Sequence, residues 1–200
     1  RSTLFPYTTL FRSRDNVEYN EVQKGNGGGI YVGSGNFTMN DGVFTYNKAK
    51  KFGDDTGNGG GFYVTGGQVE VKGGVIQNNI AQADGGGFYV NVADSSIETI
   101  INSSMANTTI SYNTAQNGGG AYVNQGHLII QDAATTIAND TASIAGGGIY
   151  VGTGNVTITN ATLSGNVSQN SNGGAFYVAN GSFTANNAAI TSNHSPNGNG

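Results

Sequence analysis

Carboxylates are the side chains of this chain best suited to acid–base chemistry, but their spacing is irregular. Enzymes that cleave polysaccharides place paired acids, or an acid and a basic group, on one surface. Arg14 is the only arginine outside residues 1–13. Because the acids do not recur at one position of adjacent repeats, the sequence predicts no catalytic residue and no enzyme activity. The aspartates concerned are Asp15, Asp41, Asp84, Asp94, Asp132 and Asp140.

The sequence evidence for a metal site or a catalytic histidine is equally weak. Asp54 and Asp55 open an oxygen-rich loop that could hold calcium. The loop lacks the EF-hand pattern and the Gly-Gly-x-Gly-x-Asp repeat, so a solvated loop is the preferred interpretation. His127 falls at a polar position at the start of a strand, and His194 follows a corner asparagine. Neither has a second histidine nearby, and we predict no metal and no cofactor.

A tyrosine behind a glycine pair is the strongest signal in the chain. The motif Gly-Gly-[Gly/Ala]-x-Tyr-Val occurs six times, with its tyrosines 32, 26, 33, 28 and 27 residues apart. A row of outward rings could bind sugars or protein side chains. Alternatively the rings brace one another along the fold, which is the preferred interpretation. The tyrosines are Tyr31, Tyr63, Tyr89, Tyr122, Tyr150 and Tyr177.

Repeats of this length indicate a stacked architecture in which no unit buries its own apolar face. Each repeat has three strand signals: the Tyr-Val strand, an alternating strand such as residues 69–71, and a strand ending in [Phe/Ile/Leu]-x-x-Asn. Glycine and β-branched residues oppose helix throughout. The predicted fold class is all-β, a right-handed parallel β-helix (solenoid) of six to seven coils with three short strands each.

The alternation also assigns the two faces of the strands. The residue before each tyrosine and the valine after it are predicted to lie inside, and the tyrosines outside. Corner asparagines are predicted to point inward and to hydrogen-bond one another as a ladder, since an amide both donates and accepts. In one repeat Ile137 is followed by Asp140 in place of asparagine. The predicted ladder comprises Asn20, Asn47, Asn79, Asn113, Asn166 and Asn193.

Two loops break the regularity. Residues 48–58 and 91–107 are longer than their counterparts, and the insertion leaves the strand near Ile97 to Ile101 without a clear register. Insertions in a solenoid often form its binding face.

The composition and net charge of the chain exclude several classes of partner and site. The net charge is −4, or −6 when Arg1 and Arg12 are left out (6 basic against 12 acidic residues). No basic patch exists, so nucleic acid is not expected as a partner. The chain has no cysteine, which excludes a disulfide framework and thiolate metal sites. No apolar run approaches the roughly 20 residues that span a bilayer.

The repeated motifs resemble the polymorphic outer membrane protein repeat, which pairs Gly-Gly-Ala-[Ile/Leu/Val] with Phe-x-x-Asn. Residues 173–176 are close to the first motif and residues 44–47 match the second, within a resemblance covering about residues 17–200. Five of six copies have Gly for Ala, and most corners use Ile or Leu for Phe. The resemblance implies a pectin-lyase-like fold and an exported surface protein, often an autotransporter passenger, adhesin or virulence factor.

That resemblance also implies a partner and a location. The expected partner is a host or neighbouring-cell surface protein or glycan, and the expected location is extracellular or on the bacterial outer surface. Contact with a membrane is expected only through an anchor or barrel outside this chain. The predicted function is therefore a non-catalytic β-helix repeat module. A fragment of a polysaccharide lyase or glycoside hydrolase is the alternative, whereas ice binding is disfavoured because Thr157-x-Thr159 occurs once.

The ends of the chain carry their own expectation. Residues 3–13 are identical to the in-frame translation of a DNA adapter used in sequencing libraries. We therefore expect residues 1–13 to be non-native, without a domain of their own. Residues 14–200 are expected to form a single β-helix repeat domain, a fragment of a longer array.

Overall fold

Every strand described here pairs with the equivalent strand of a neighbouring coil, in parallel. The structure is a computed structural model that describes residues 9–11, 15–53 and 56–200. Within those ranges it is an all-β parallel solenoid of about six turns. The predicted fold class, a parallel β-helix, is confirmed at this level. None of the described residues forms a helix long and apolar enough to cross a membrane.

Four sheets run along the solenoid. The tyrosine sheet contains β4 (Ile30–Val32), β8 (Phe62–Val64), β12 (Phe88–Asn91), β16 (Ala121–Gln125), β20 (Ile149–Val151) and β24 (Phe176–Val178). The second sheet contains β1 (Thr9–Phe11), β5 (Asn36–Met39), β9 (Gln68–Val71), β13 (Glu98–Ile101), β17 (His127–Gln131), β21 (Asn155–Thr159) and β25 (Ser182–Asn186).

The other two sheets follow the second along each coil. The third sheet contains β2 (Asn16–Glu18), β6 (Val43–Thr45), β10 (Gly74–Gln77), β14 (Thr108–Ser111), β18 (Thr135–Ala138), β22 (Thr162–Ser164) and β26 (Ala189–Thr191). The fourth sheet contains β3 (Glu21–Val22), β7 (Lys48–Ala49), β11 (Ile80–Ala81), β15 (Thr114–Asn117), β19 (Thr141–Ala145) and β23 (Val167–Ser168).

The fourth sheet adds one strand per coil to the three that the sequence predicts. Its strands follow the corner asparagine and are as short as two residues, as in β7 and β11. Two residues are too few to show alternation, which explains why the pattern did not reveal them. The backbone of β1, within residues 1–13, pairs with β5 at the edge of the second sheet. The other residues of that segment lie outside the described ranges.

The core is a set of apolar files that run from coil to coil. The residue before each tyrosine stacks on its counterpart, so that the rings of Phe62 and Phe88 lie 4.6 Å apart and nearly parallel. Inward residues of the second and third sheets complete the core, including Val71, Ile76 and Leu128, which have no exposed surface. The inward and outward assignments of the sequence analysis hold in these strands because period-two alternation is a property of the extended backbone.

Glycine is required before each tyrosine strand for two different reasons. Gly85 has a φ of +69°, which L side chains rarely adopt. Gly86 packs against the next coil: a Cβ there would meet the carbonyl oxygen of Gly119 and lie 2.7 Å from the backbone nitrogen of Thr114. Gly86 therefore lets the backbone of the next coil, including Thr114 of the fourth sheet, lie directly against this corner.

Candidate functional site

The corner asparagines form a ladder along the solenoid, buried except at its two ends. Within the ladder, a side-chain amide donates to the Oδ1 of the residue at the same position in the following coil and to a backbone carbonyl of the preceding coil; this holds for Asn47, Asn79, Asn113 and Asn166. The Asn79 side chain has no exposed surface and takes part in four hydrogen bonds, two that it donates and two that it accepts. The amide-to-amide bonds run from Asn20 to Asn47 (2.9 Å), Asn47 to Asn79 (3.0 Å), Asn79 to Asn113 (3.0 Å) and Asn166 to Asn193 (2.9 Å).

Asp140 occupies the ladder position between Asn113 and Asn166. Its Oδ1 accepts from the backbone nitrogen and from Nδ2 of Asn113, at 2.8 and 2.9 Å. Its Oδ2 is buried and has no hydrogen-bond partner. At the same position in other coils an amide nitrogen donates to two acceptors, so Oδ2 faces acceptors. Burial, opposed only by the bonds from Asn113, raises the pKa of Asp140 to about 8.

A second amide row lies before the glycine triplets, and the sequence analysis missed it. Asn26 Oδ1 accepts from the backbone nitrogen of Asn58 at 2.7 Å, and Asn58 Oδ1 accepts from that of Asp84 at 3.0 Å. Asn117 Nδ2 donates to Asp84 Oδ1 at 2.8 Å. The signal was present in the sequence as Asn or Asp before five of the six glycine pairs: Asn26, Asn58, Asp84, Asn117 and Asn172.

The six repeated tyrosines lie in one file on the outer side of the tyrosine sheet. Neighbouring ring centroids are 4.7–5.2 Å apart, and the central rings are within 17° of parallel. Each central ring therefore uses both faces to stack on its neighbours. Only 8% of Tyr89 is exposed. This geometry supports mutual bracing, and a sugar stacked on ring faces finds no free face along the centre of the file.

The phenol groups of the four central tyrosines of this file stay protonated in neutral solution. Burial raises the pKa of Tyr122 to about 12, with a smaller contribution from the negative charge of Asp84. Burial also raises the pKa of Tyr63, Tyr89 and Tyr150. The centre of the file thus offers a partner uncharged ring edges, and binding at those edges stays a prediction.

Stacking in the tyrosine file should contribute measurably to stability. We expect Tyr122→Leu to lower the free energy of unfolding by ~1–3 kcal/mol, because it removes two ring pairs worth ~0.5–1.5 kcal/mol each. Tyr122→Phe keeps both pairs and should cost less than ~0.5 kcal/mol. Urea unfolding of both variants at pH 7 measures the difference. Equal losses in the two variants would show that the hydroxyl, and not the stack, is the stabilising group.

Tyrosines that are more exposed than those of the tyrosine sheet lie at the corner before the asparagine ladder. The sequence analysis did not single them out. Tyr19, Tyr46 and Tyr112 have a φ of +55° to +56° and are about half exposed or more. Tyr19 stacks on Tyr46 with centroids 5.0 Å apart. The left-handed backbone turns the chain from the third to the fourth sheet and directs these rings into solvent.

A pocket lies at the corner between the tyrosine sheet and the second sheet. Six residues, 92–97, connect β12 to β13, whereas three connect β8 to β9. Asp94 orders this insertion, because its Oδ1 accepts from the backbone nitrogen and hydroxyl of Ser96 at 2.9 and 2.7 Å. The insertion and the turns of the next two coils enclose about 240 Å³. The lining includes Val92, Ser95, Gln125, His127, Thr153 and Asn155.

His127 and Glu98 lie next to each other at this corner. The strand register places Glu98 beside His127 and His127 beside Asn155. His127 Nδ1 lies 3.9 Å from Glu98 Oε1, with about a third of each side chain exposed. The sequence analysis placed His127 in a polar row but left Glu98 out, because the insertion obscured the register of β13. The pairing of Thr99 with Val69 now fixes that register.

The remaining predicted candidates are separate from this corner. His194 continues the fourth sheet through its backbone, beside Val167. Asp41 and Asp132 accept bonds from nearby backbone nitrogens in turns. Asp54 and Asp55 lie outside the described residues, so their loop is not placed. Among the residues that the structure describes, no three histidine or acidic side chains come together as a metal site.

The fold and these sites define the class of this protein as a parallel β-solenoid stabilised by amide ladders and a tyrosine stack. Comparison of the chain with protein-family models, with curated proteins and with solved structures found no match.

Proposed function

We propose that this chain is a non-catalytic display module, a β-solenoid of an extracellular or cell-surface protein whose loops contact a partner. One observation carries the proposal. The side chains that recur in every coil bond to copies of themselves, as Asn79 does to Asn47 and Asn113. The recurring side chains therefore stabilise the solenoid itself, and we expect a partner to bind the irregular segments.

Those irregular segments are suited to contact. Phe52, in the loop 48–58, is 59% exposed, and Met105, in the segment 91–107, is 65% exposed. Large exposed apolar side chains are common in interfaces, where aromatic residues and methionine are enriched. The motif resemblance to polymorphic outer membrane protein repeats supports the surface location and an adhesive role, as an autotransporter passenger or a related adhesin.

Adhesion can be tested with the purified protein coupled to beads. We expect the coated beads to be retained on cultured epithelial or bacterial cell layers, and the double variant Phe52→Ser/Met105→Ser to be retained less. Beads carrying serum albumin give the background. Retention of the wild-type beads at that background would contradict the adhesive role.

A polysaccharide lyase or glycoside hydrolase is the second candidate. The observation that favours it is the Glu98–His127 pair, an acid and an imidazole 3.9 Å apart beside a pocket. We expect no cleavage of polygalacturonate, with or without calcium, when unsaturated products and reducing ends are measured. Turnover that Glu98→Gln and His127→Ala both abolish would make this the function instead.

A further inference from the structure

We infer that the corner pocket beside His127 binds one neutral sugar unit, such as the exposed end of a glycan chain. This inference rests on the proposed function, because it names a partner class for a display module. It concerns the pocket lined by Val92, Ser95, His127 and Asn155, which the repeat pattern does not create. The insertion 92–97 creates it at one corner of the solenoid.

The size of the pocket suits a single ring. Sites for drug-sized ligands typically enclose about 300–1,000 Å³, and this pocket encloses about 240 Å³. Three successive coils form its walls: the insertion, the turn at Gly126 and the turn at Gly154. Val92 N donates to Gln125 O at 3.2 Å, which ties the insertion to the next coil. The pocket is therefore built into the stack and not confined to a free loop.

The polar groups at the pocket match a sugar. Sugar hydroxyls both donate and accept, and adjacent hydroxyls span the distance between two neighbouring side chains. Of the residues that line the pocket, the imidazole of His127 can donate or accept, and Ser95 and Asn155 can each do both. Glu98 lies beside His127, outside the lining, and its carboxylate can accept. The separation of 3.9 Å between His127 Nδ1 and Glu98 Oε1 leaves both atoms able to bond a ligand instead of each other. Val92 and Ala93 supply apolar contact for ring C–H groups.

Charge argues against an acidic sugar. Neither lysine nor arginine lines this pocket in the part of the chain that the structure describes. Glu98 lies beside His127, and Asp94 lies in the insertion. The hydrogen bonds from Ser96 lower the pKa of Asp94, so that carboxylate is charged in neutral solution. A uronate or sulfated sugar would bring its negative charge near these two carboxylates with no lysine or arginine in the lining to offset it, whereas a neutral sugar meets hydrogen-bonding groups only.

Nuclear magnetic resonance of the imidazole groups can test the site, because the chain has only two histidines. The probes are the methyl glycosides of glucose, galactose, mannose and N-acetylglucosamine, compared with methyl glucuronate. We expect at least one neutral glycoside to shift the His127 signals, with a dissociation constant on the order of 1 mM. The His194 signals should stay in place, and glucuronate should bind about tenfold more weakly.

Two variants separate the pocket from the fold. We expect His127→Ala to weaken binding of the same glycoside about tenfold, followed through backbone signals of Ser95 and Asn155. His194→Ala is the matched control and should leave the affinity unchanged. Replacing residues 91–97 by Thr-Gly-Gly, the connection found at residues 65–67, restores the spacing between the paired strands and should abolish binding while circular dichroism stays that of a β-solenoid.

The inference is overturned if no neutral glycoside shifts His127 at the highest soluble concentration, if glucuronate binds better, or if His127→Ala leaves the affinity unchanged. The bead assay keeps this result apart from the proposed function. Adhesion that persists in His127→Ala beads, with no glycoside binding, would remove the pocket and leave the display role. Glycoside binding without adhesion would support the pocket as a sugar site and contradict the adhesive role.

Discussion

Replacing Asp140 by asparagine is expected to raise the free energy of unfolding by ~4 kcal/mol at pH 7. The side chain has no exposed surface, and its pKa is about 8 in the folded protein against an ordinary value of 3.8. Keeping the acid neutral therefore costs folding free energy whenever the unfolded chain is ionised. Asparagine carries no such cost, and its amide nitrogen supplies the donor that the ladder has at every neighbouring corner.

The sign of the pH dependence follows from the raised pKa. Below pH 3.8 the acid is protonated in both states, and its neutral form contributes fully to the ladder. As the pH rises from there toward about 8, ionisation favours the unfolded chain and stability falls. The gap between Asp140→Asn and wild type should therefore widen from pH 4 to pH 8.

Urea unfolding at pH 5, 7 and 8 measures this gap. Asp41→Asn is the matched control, since it makes the same chemical change in a turn where Asp41 accepts from the backbone nitrogen of Gly42. It should not reproduce the widening gap. A gap of equal size at pH 5 and pH 8 would contradict a neutral acid in the ladder, and a destabilised Asp140→Asn would contradict the ladder geometry at this corner.

Removing one amide from the ladder is expected to have the second largest effect. We expect Asn79→Ala to lower the free energy of unfolding by ~4 kcal/mol, because an orphaned buried group costs ~1–3 kcal/mol and several are affected. The Asn79 side chain accepts from the backbone nitrogen and Nδ2 of Asn47 and donates to Phe44 O and Asn113 Oδ1, all at 3.0 Å. The alanine leaves the backbone nitrogen of Asn47 without that acceptor.

Two measurements make this prediction specific. Urea unfolding gives the total loss, and hydrogen exchange of the Asn47 amide reports the local defect. Asn170→Ala is the control, because Asn170 Nδ2 makes an exposed bond to Ser143 O, and should cost less than ~1 kcal/mol. Unchanged protection of the Asn47 amide in Asn79→Ala would show that the ladder does not hold this corner together.

The change Asn79→Asp joins the two predictions. It keeps an acceptor for Asn47 but removes the two donors, which reproduces the situation of Asp140 in another coil. We expect it to be destabilising above pH 5 and to add a new decrease in stability with rising pH. Together with Asp140→Asn, it tests whether an acid lowers stability at any ladder position or only in the coil that contains Asp140.

Much of the fold was accessible from the sequence because it depends on short-range pattern. Alternation along strands such as 69–71 assigned Val69 and Val71 to the core, and both are buried. The recurring tyrosine and corner asparagine set the register between coils, since like residues pair across neighbouring strands. The insertion before β13 obscured that register. Thr99 follows Val90 by nine residues whereas Val69 follows Val64 by five, and these four added residues break the count while leaving the pairing of Thr99 with Val69 intact.

The sites depended on neighbours that are far apart in the chain. The sequence by itself determined the parallel β-helix, the direction of its side chains and the positions of the asparagine ladder, because backbone geometry and repeat spacing are local properties. Tertiary structure alone decided that the tyrosine rings stack on one another, that the Asp140 carboxyl is buried with a raised pKa, and that His127 lies next to Glu98 beside a pocket. Ring stacking, desolvation and the enclosure of a pocket each depend on side chains from two or three coils, and equivalent residues of neighbouring coils are about 30 residues apart in the chain. A single repeat therefore does not reveal them.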